Sequence, residues 1–224
     1  MSDTRKFVIA DIHGCKKTFE ALLDRIHFSS SDQLYLLGDY IDRGPDSEGV
    51  LEMIVQLIAS GHQVFPLMGN HEEIFLHACR ESLYSGVWDK EMAVGMLRPT
   101  PELAEKYLSF LVSMPAYLEV DNYILVHAGL NFKVTDPLSA KSEMLWIRHW
   151  YEAINYGWLK DRIILHGHTP MTSEVITQQH RTLQQNRYLN LDNGCVFGKY
   201  RSEYEHLYCF EMSSQMLVAQ RYVE

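Results

Sequence analysis

The chain has 224 residues, of which 46% are hydrophobic and 22% charged, and a formal net charge of −9. That size suits one soluble domain, residues 1–224, with a core large enough to need no staple. The acidic balance argues against a nonspecific nucleic-acid binder, and no apolar stretch reaches the roughly 18 residues of a membrane span. The cysteines Cys15, Cys79, Cys195 and Cys209 form no CxxC pair, which disfavours a zinc knot or a disulfide framework. In the opening MSDTRKFVIADIHG the apolar run FVIA is too short for a signal peptide. A cytoplasmic protein with no nucleic-acid and no membrane partner is therefore expected.

Lys6–Ala10 (KFVIA) is apolar and β-branched and reads as a buried strand. Lys16–Ile26 carries Phe19, Leu22, Leu23 and Ile26 at helical spacing. Gln33–Leu37 predicts a second strand. Ser47–Ala59 predicts a helix with Val50, Leu51, Ile54, Val55 and Ile58 on one face, stopped by Gly61. Val64–Met68 predicts a third strand, with Pro66 favouring an edge or irregular position. Strand, helix, strand, helix, strand implies right-handed crossovers and a partly parallel sheet.

Residues 71–112 read as helical and irregular, broken by Pro99 and Pro101, with a helix resuming over 102–112. Trp88, Met92 and Met96 read as a packed apolar cluster, with a lid near the substrate as the alternative. Ala116–Val120 and Tyr123–Val126 alternate as a hairpin about Asp121-Asn122. Ile163–Leu165 is a short strand. Later β-like pieces are Tyr188–Leu191, His206–Phe210 and Met216–Val218. The fold class is α/β, with two sheets packed together and helices outside.

Ligands of such sheets gather beyond the carboxyl ends of the strands. Asp11 and His13 follow the first strand, Asp39, Asp42 and Arg43 the second, and Asn70 and His71 the third. His127 ends YILV, and His168 follows IIL. A pair of divalent cations wants several oxygen and imidazole ligands and one carboxylate shared between them. Asp, His, Asp, Asn, His and His form such a set. One D-x-H is a weak signal; three such motifs at successive strand ends, with HAG and GHT following in order, are not.

ADIHG, GDYIDRG, GNHEE, VHAGL and HGHTP resemble the signature of the phosphoprotein phosphatase family of metallophosphoesterases, in its short bacterial and phage lambda-type branch. The resemblance runs from Asp11 to about Gly194. It implies a calcineurin-like metallophosphoesterase sandwich of two packed mixed β-sheets flanked by helices. It implies two divalent metal ions, manganese first, with iron or zinc as alternatives. Asp11, His13 and Asp39 would hold one metal. Asp39 would bridge to the other, completed by Asn70, His127 and His168. His71 would be the general acid, oriented by Asp42. Arg43, Arg148 (in LWIR) and Asn70 would bind the phosphate. The implied reaction is hydrolysis of phosphoserine, phosphothreonine and small phosphomonoesters by in-line attack of a metal-bridging hydroxide. The implied partner is a phosphorylated protein or peptide.

Elementary chemistry agrees with these roles. An alkoxide leaving group needs a proton, which an imidazole near neutral pKa can give. Ala10 stands where the family has a first Gly, a small-for-small change. Thr169 and Pro170 follow His168, so the second His of GHxH is absent, which disfavours a phosphodiesterase. A symmetric diadenosine tetraphosphate hydrolase shares the metal motifs and is the alternative. A metal-binding adaptor without catalysis should lack a ligand, His71 or Arg43, and none is missing. His166 reads as a core or supporting histidine. Asp192-Asn193-Gly194 reads first as a turn, and the resemblance also leaves it a supporting role near the site.

Overall fold

A computed structural model describes residues 4–88 and 94–224. The first half builds β1 (Lys6–Ile9), α1 (Lys16–Arg25), β2 (Gln33–Leu36), α2 (Ser47–Ala59), β3 (Gln63–Pro66), α3 (Asn70–Ser85) and α4 (Pro101–Val112). The second half adds β4 (Tyr117–Val120), β5 (Tyr123–Val126), α5 (Lys141–Trp146), α6 (Tyr156–Leu159), β6 (Ile163–His166), α7 (Ser173–Arg181), α8 (Leu183–Asn186), β7 (Tyr188–Asn190), β8 (His206–Glu211) and β9 (Met216–Arg221). One sheet runs β3-β2-β1-β8-β9 and the other β4-β5-β6-β7. Both are mixed: β1 is parallel to β2 and antiparallel to β8, while β5 is antiparallel to β4 and parallel to β6.

The period of two along a strand assigns each side chain to a layer. Val8, Tyr35, Tyr123, Leu125, Ile163, Leu165 and Leu189 fill the space between the sheets. Their neighbours Phe7, Ile9, Leu34 and Leu36 point the other way, onto α1 and α2. Ile124, Val126 and Ile164 pack outward around Trp150. Strands buried on both faces read as continuous apolar runs rather than alternating ones, which is why FVIA, YILV and IIL look as they do.

Helix α1 buries Thr18, Phe19, Leu22 and Leu23 on one face. The face expected on α2 is only partly used. Val50, Leu51 and Ile54 are buried, but Ile58 is 38% exposed. Residues 58–61 are all exposed, so the last turn runs out into solvent. Pro66 ends an edge strand, where a missing N–H is tolerated. The β4–β5 hairpin turns at Asp121, which takes a left-handed φ of 53°. Helices α5, α7 and α8 were not visible in the sequence pattern. Trp88 packs against the layer under α1 and α2; Met92 lies outside the described residues. All four cysteines are buried and free. No helix among the described residues is long and apolar enough to cross a membrane.

Every strand that carries a candidate ligand stops just before it. β1 ends two residues before Asp11, β2 three before Asp39, β5 one before His127 and β6 two before His168. The fold thus delivers these side chains to one edge of the sandwich.

The turn from α1 into β2 is clamped by Asp32, which is 2% exposed. Its carboxylate accepts from Arg5 Nε at 2.8 Å, Arg5 Nη2 at 2.7 Å and the Ser29 amide at 2.8 Å. Burial works against this charge, but the Arg5 and Ser29 hydrogen bonds outweigh it and hold the pKa below the ordinary value. The unfolded value is about 3.9, so the clamp stabilises fully above that pH and is lost as pH falls through the lower folded value. Asp32→Asn should cost about 1–2 kcal/mol at pH 7. In urea titrations the gap to the wild type should narrow as the pH falls below about 4.

Candidate metal centre

Asp39 is the meeting point of two clusters. His13, Asp39 and His71 form one, and Asp39, His127 and His168 the other, each with its ligand atoms within 4.8 Å of one another. Asp39 is 1% exposed. Its Oδ2 lies 3.4 Å from His13 Nε2 and 3.9 Å from His71 Nε2. Its Oδ1 lies 3.4 Å from His127 Nε2. One carboxylate therefore faces both groups, as a bridge requires.

The tautomers follow from second partners that can only accept. His13 Nδ1 donates to the Ile41 carbonyl at 2.8 Å, and His127 Nδ1 donates to the Leu37 carbonyl at 2.9 Å. Each neutral ring therefore turns a bare Nε2 lone pair into the site. Burial pushes His13 down to about 3 and lowers His127, so both rings stay neutral. His127 Nε2 then meets Asn70 Oδ1 at 2.9 Å and Asp39 Oδ1 at 3.4 Å, acceptor against acceptor. His168 turns its Nδ1 into the same space, 2.9 Å from Asn70 Oδ1 and 3.2 Å from His127 Nε2. Lone pairs converging in a dry pocket repel unless a cation lies among them. At His13 a cation is already present: the Arg43 guanidinium sits with Nη1 2.5 Å from Nε2. It stands where a metal would accept that lone pair. The donor set therefore fits divalent cations that take oxygen and imidazole.

The remaining candidates are placed as follows. Asp11 is buried and accepts from the His168 amide at 3.0 Å, beside but outside the two close clusters. Asn70 presents Oδ1 to His127 and His168, each at 2.9 Å. His71 Nδ1 is 2.5 Å from Asp42 Oδ2, whose Oδ1 accepts from the Leu97 amide at 2.6 Å. Burial disfavours the His71 imidazolium, but the Asp42 hydrogen bond and the Asp39 charge outweigh it and raise the pKa above an ordinary histidine's. Arg148 is exposed and donates to Thr169 Oγ1 at 3.2 Å, next to His168. His166 is held by Tyr151 Oη at 2.9 Å and belongs to neither cluster.

Backbone strain gathers at these residues. Asp11, His13, Asp39, Asp42, Arg43 and His168 all have φ between 40° and 73°, a left-handed conformation rare outside glycine. Such geometry persists only where the surroundings overdetermine it. Glu72 is the main constraint. Fully buried in the first turn of α3, it accepts from the amides of Asp39 and Tyr40 at 2.8 Å, Gly69 at 3.0 Å and Ile41 at 3.3 Å. One carboxylate thus ties the second and third ligand loops together. Gly69 allows the approach: a Cβ there would lie 2.3 Å from the Asp39 nitrogen and 2.4 Å from its carboxylate.

Glu72 was passed over in the sequence although GNHEE contains it. Its position three residues after Gly69 is that of a helix-capping glutamate, which was the available signal. Asp192 was read as a turn residue; it is 3% exposed and its charge faces Asp11. Burial pushes it up to about 7, and the Asp39 charge adds to the shift.

Comparison with known proteins places this geometry. The family model described as calcineurin-like phosphoesterase matches residues 4–200. A symmetrical bis(5'-nucleosyl)-tetraphosphatase of Acidovorax sp. (strain JS42) is 49% identical over 125 residues, covering 55% of this chain and 43% of that protein. The chain thus spans less than half the length of that relative. A bis(5'-nucleosyl)-tetraphosphatase PrpE [asymmetrical] of Oceanobacillus iheyensis is 22% identical over 97% of this chain and 96% of its own length. A crystal structure provisionally assigned as a diadenosine tetraphosphatase superposes with a TM-score of 0.70 at 19% identity, covering 100% of this chain and 96% of that one. At that identity the likeness establishes the fold.

Glu72→Gln replaces an acceptor of four amides with a group that has one accepting oxygen. It should lower stability by about 1–3 kcal/mol for the amides left unpaired. It should also weaken manganese binding at least about tenfold, as loss of a supporting partner does. Urea denaturation and metal titration of the variant read both effects.

Proposed function

The chain belongs to the calcineurin-like phosphoesterase family, and on that premise we propose that it hydrolyses bis(5'-nucleosyl) tetraphosphates symmetrically, into two nucleoside diphosphates. The observation that carries this substrate is the 49% identity to a symmetrical tetraphosphatase, joined to two His/Asp groups that could hold cations.

Asp39, His13, His127 and His168 would hold the two cations, with Asp11 and Asn70 beside them. Manganese is the first choice, with iron or zinc as alternatives. Bound there, the cations supply positive charge to the phosphoryl oxygens and lower the pKa of the attacking water. The other steps belong to the chain's own side chains. Arg43 and Arg148 present guanidinium forks to nonbridging phosphate oxygens. To do so, Arg43 leaves His13. Asp42 holds Nδ1 of His71, which turns the Nε2–H of the imidazolium toward the leaving oxygen. Water adds to phosphorus and loses its proton to solvent, the bridging P–O bond breaks, and the leaving oxygen can take the His71 proton, which solvent later restores.

A second reading, hydrolysis of phosphoserine or phosphothreonine in proteins, is favoured by one specific feature. The His71–Asp42 pair at 2.5 Å is a proton donor of the kind an alkoxide leaving group requires. A nucleoside diphosphate asks for less, because a terminal phosphate already ionises near pH ~6. The two substrates therefore depend on His71 to different degrees.

The test uses protein stripped with chelator and restored with manganese, given diadenosine tetraphosphate beside a phosphoserine peptide. The proposal expects metal-dependent conversion of the dinucleotide to ADP. ATP plus AMP would mean an asymmetrical cut. An intact dinucleotide beside a dephosphorylated peptide would transfer the assignment to the second reading. His71→Asn should slow phosphomonoester hydrolysis by about 10²–10⁴-fold, the usual worth of a general acid. Its effect on the dinucleotide should be markedly smaller.

A further inference from the structure

Beside the metal centre lies a second cleft, with a volume of about 630 Å³. It starts where the site ends. Arg148 and Thr169 line its near side, are joined by their 3.2 Å hydrogen bond, and Thr169 directly follows His168. Lys133 and His149 continue the wall, and both are exposed. Against the two cations Arg148 and Lys133 the lining has one carboxylate, Glu152. In a chain of net charge −9 that is a local reversal of sign.

The rest of the lining is aromatic and apolar, from Trp150, Tyr151 and Met171. The two rings are fixed before any ligand arrives. Tyr151 stacks on Tyr188 with ring centres 4.2 Å apart and planes 10° from parallel, and its hydroxyl is 2.9 Å from His166 Nε2. Trp150 donates to the Ala128 carbonyl at 3.1 Å. The volume falls in the range of small-molecule sites, roughly 300–1,000 Å³. Tyr151 and Met171, backed from the core by the 2% exposed Trp150, with Arg148 and Lys133 at the mouth, suit a flat base carried on a phosphate chain.

We infer that this cleft holds the far nucleotide of a two-ended substrate while the scissile phosphate lies at the metal centre. The inference deepens the tetraphosphatase reading and rests on it. Arg148 stands at the junction and can touch phosphates on both sides. Lys133 sets its charge against the distal phosphates, His149 offers a ring nitrogen to them, and the half-buried Tyr151 and Met171 face the nucleoside. A one-ended phosphomonoester uses the metal centre and leaves the cleft empty, so the cleft serves substrate choice rather than chemistry.

The experiment is a comparison of diadenosine tetraphosphate, p-nitrophenyl phosphate and a phosphoserine peptide on manganese-loaded protein. The variants are Lys133→Glu/His149→Glu, which reverses the charge, and Ala153→Trp, which fills the cleft from its lining. None of these residues belongs to the metal centre or touches the scissile phosphate. The expected result is a KM for the dinucleotide raised roughly tenfold or more, the scale of one lost charge-assisted contact. kcat/KM for p-nitrophenyl phosphate should stay within about twofold of the wild type, which also shows that the variants fold. An unchanged KM for the dinucleotide, or an equal loss on all substrates, would overturn the assignment. Selective loss on the peptide would overturn it too and make the cleft a peptide subsite. Failure of the wild type to cleave the dinucleotide while it cleaves p-nitrophenyl phosphate would reject the tetraphosphatase reading itself and the cleft assignment with it. That result is read on the wild type alone and so is distinct from a failure of the cleft.

Discussion

Asp39 is a buried carboxylate surrounded by groups that are themselves electron donors. His13 and His127 are locked by backbone carbonyls into tautomers that turn bare nitrogens inward. Asn70 adds an amide oxygen, and His168 its Nδ1 nitrogen. Such a set is costly in a dry interior unless positive charge is placed within it. Arg43 meets part of that demand, against His13. The need for cations at Asp39 is the constraint around which the ligand loops are arranged.

The scaffold meets that constraint through its backbone. Six residues of the site stand in the left-handed region, where each side chain is strained by roughly 1–2 kcal/mol. The strain is tolerated because the loops leave rigid strands buried on both faces and are pinned by hydrogen bonds at their tips. Glu72 gathers four amides from two loops, while Asp42 is held by the Leu97 amide on one oxygen and His71 on the other. Function and stability are opposed here: the same loops would relax if their ligands were not needed.

Much of this was legible in the residues. FVIA, YILV and IIL announced strands buried on both faces, because continuous apolar runs are what a two-sided burial demands. The ligands were legible because glycine and aspartate at strand ends make turns, and such turns recurred at successive strand ends. Glu72 escaped notice because its work is done on amides 31–33 residues away, a contact that no local pattern encodes. Asp192 reads first as turn chemistry in its D-N-G triplet, with a supporting role at the site left open, and the fold sets its charge against Asp11. Helices α7 and α8 carry few apolar residues and so gave little periodic signal. The cleft beyond Arg148 joins Lys133, His149 and Thr169, which only the fold makes neighbours.

The most direct measurement is calorimetric titration of chelator-stripped protein with Mn²⁺, for the wild type and for Asp39→Asn and His168→Ala. Two ions per chain are predicted for the wild type. His168→Ala should lose or weaken one of them and keep the other, while Asp39→Asn should weaken both, because its carboxylate faces both clusters. A single ion in the wild type, or unchanged binding in Asp39→Asn, would contradict the account of Asp39 as the shared ligand.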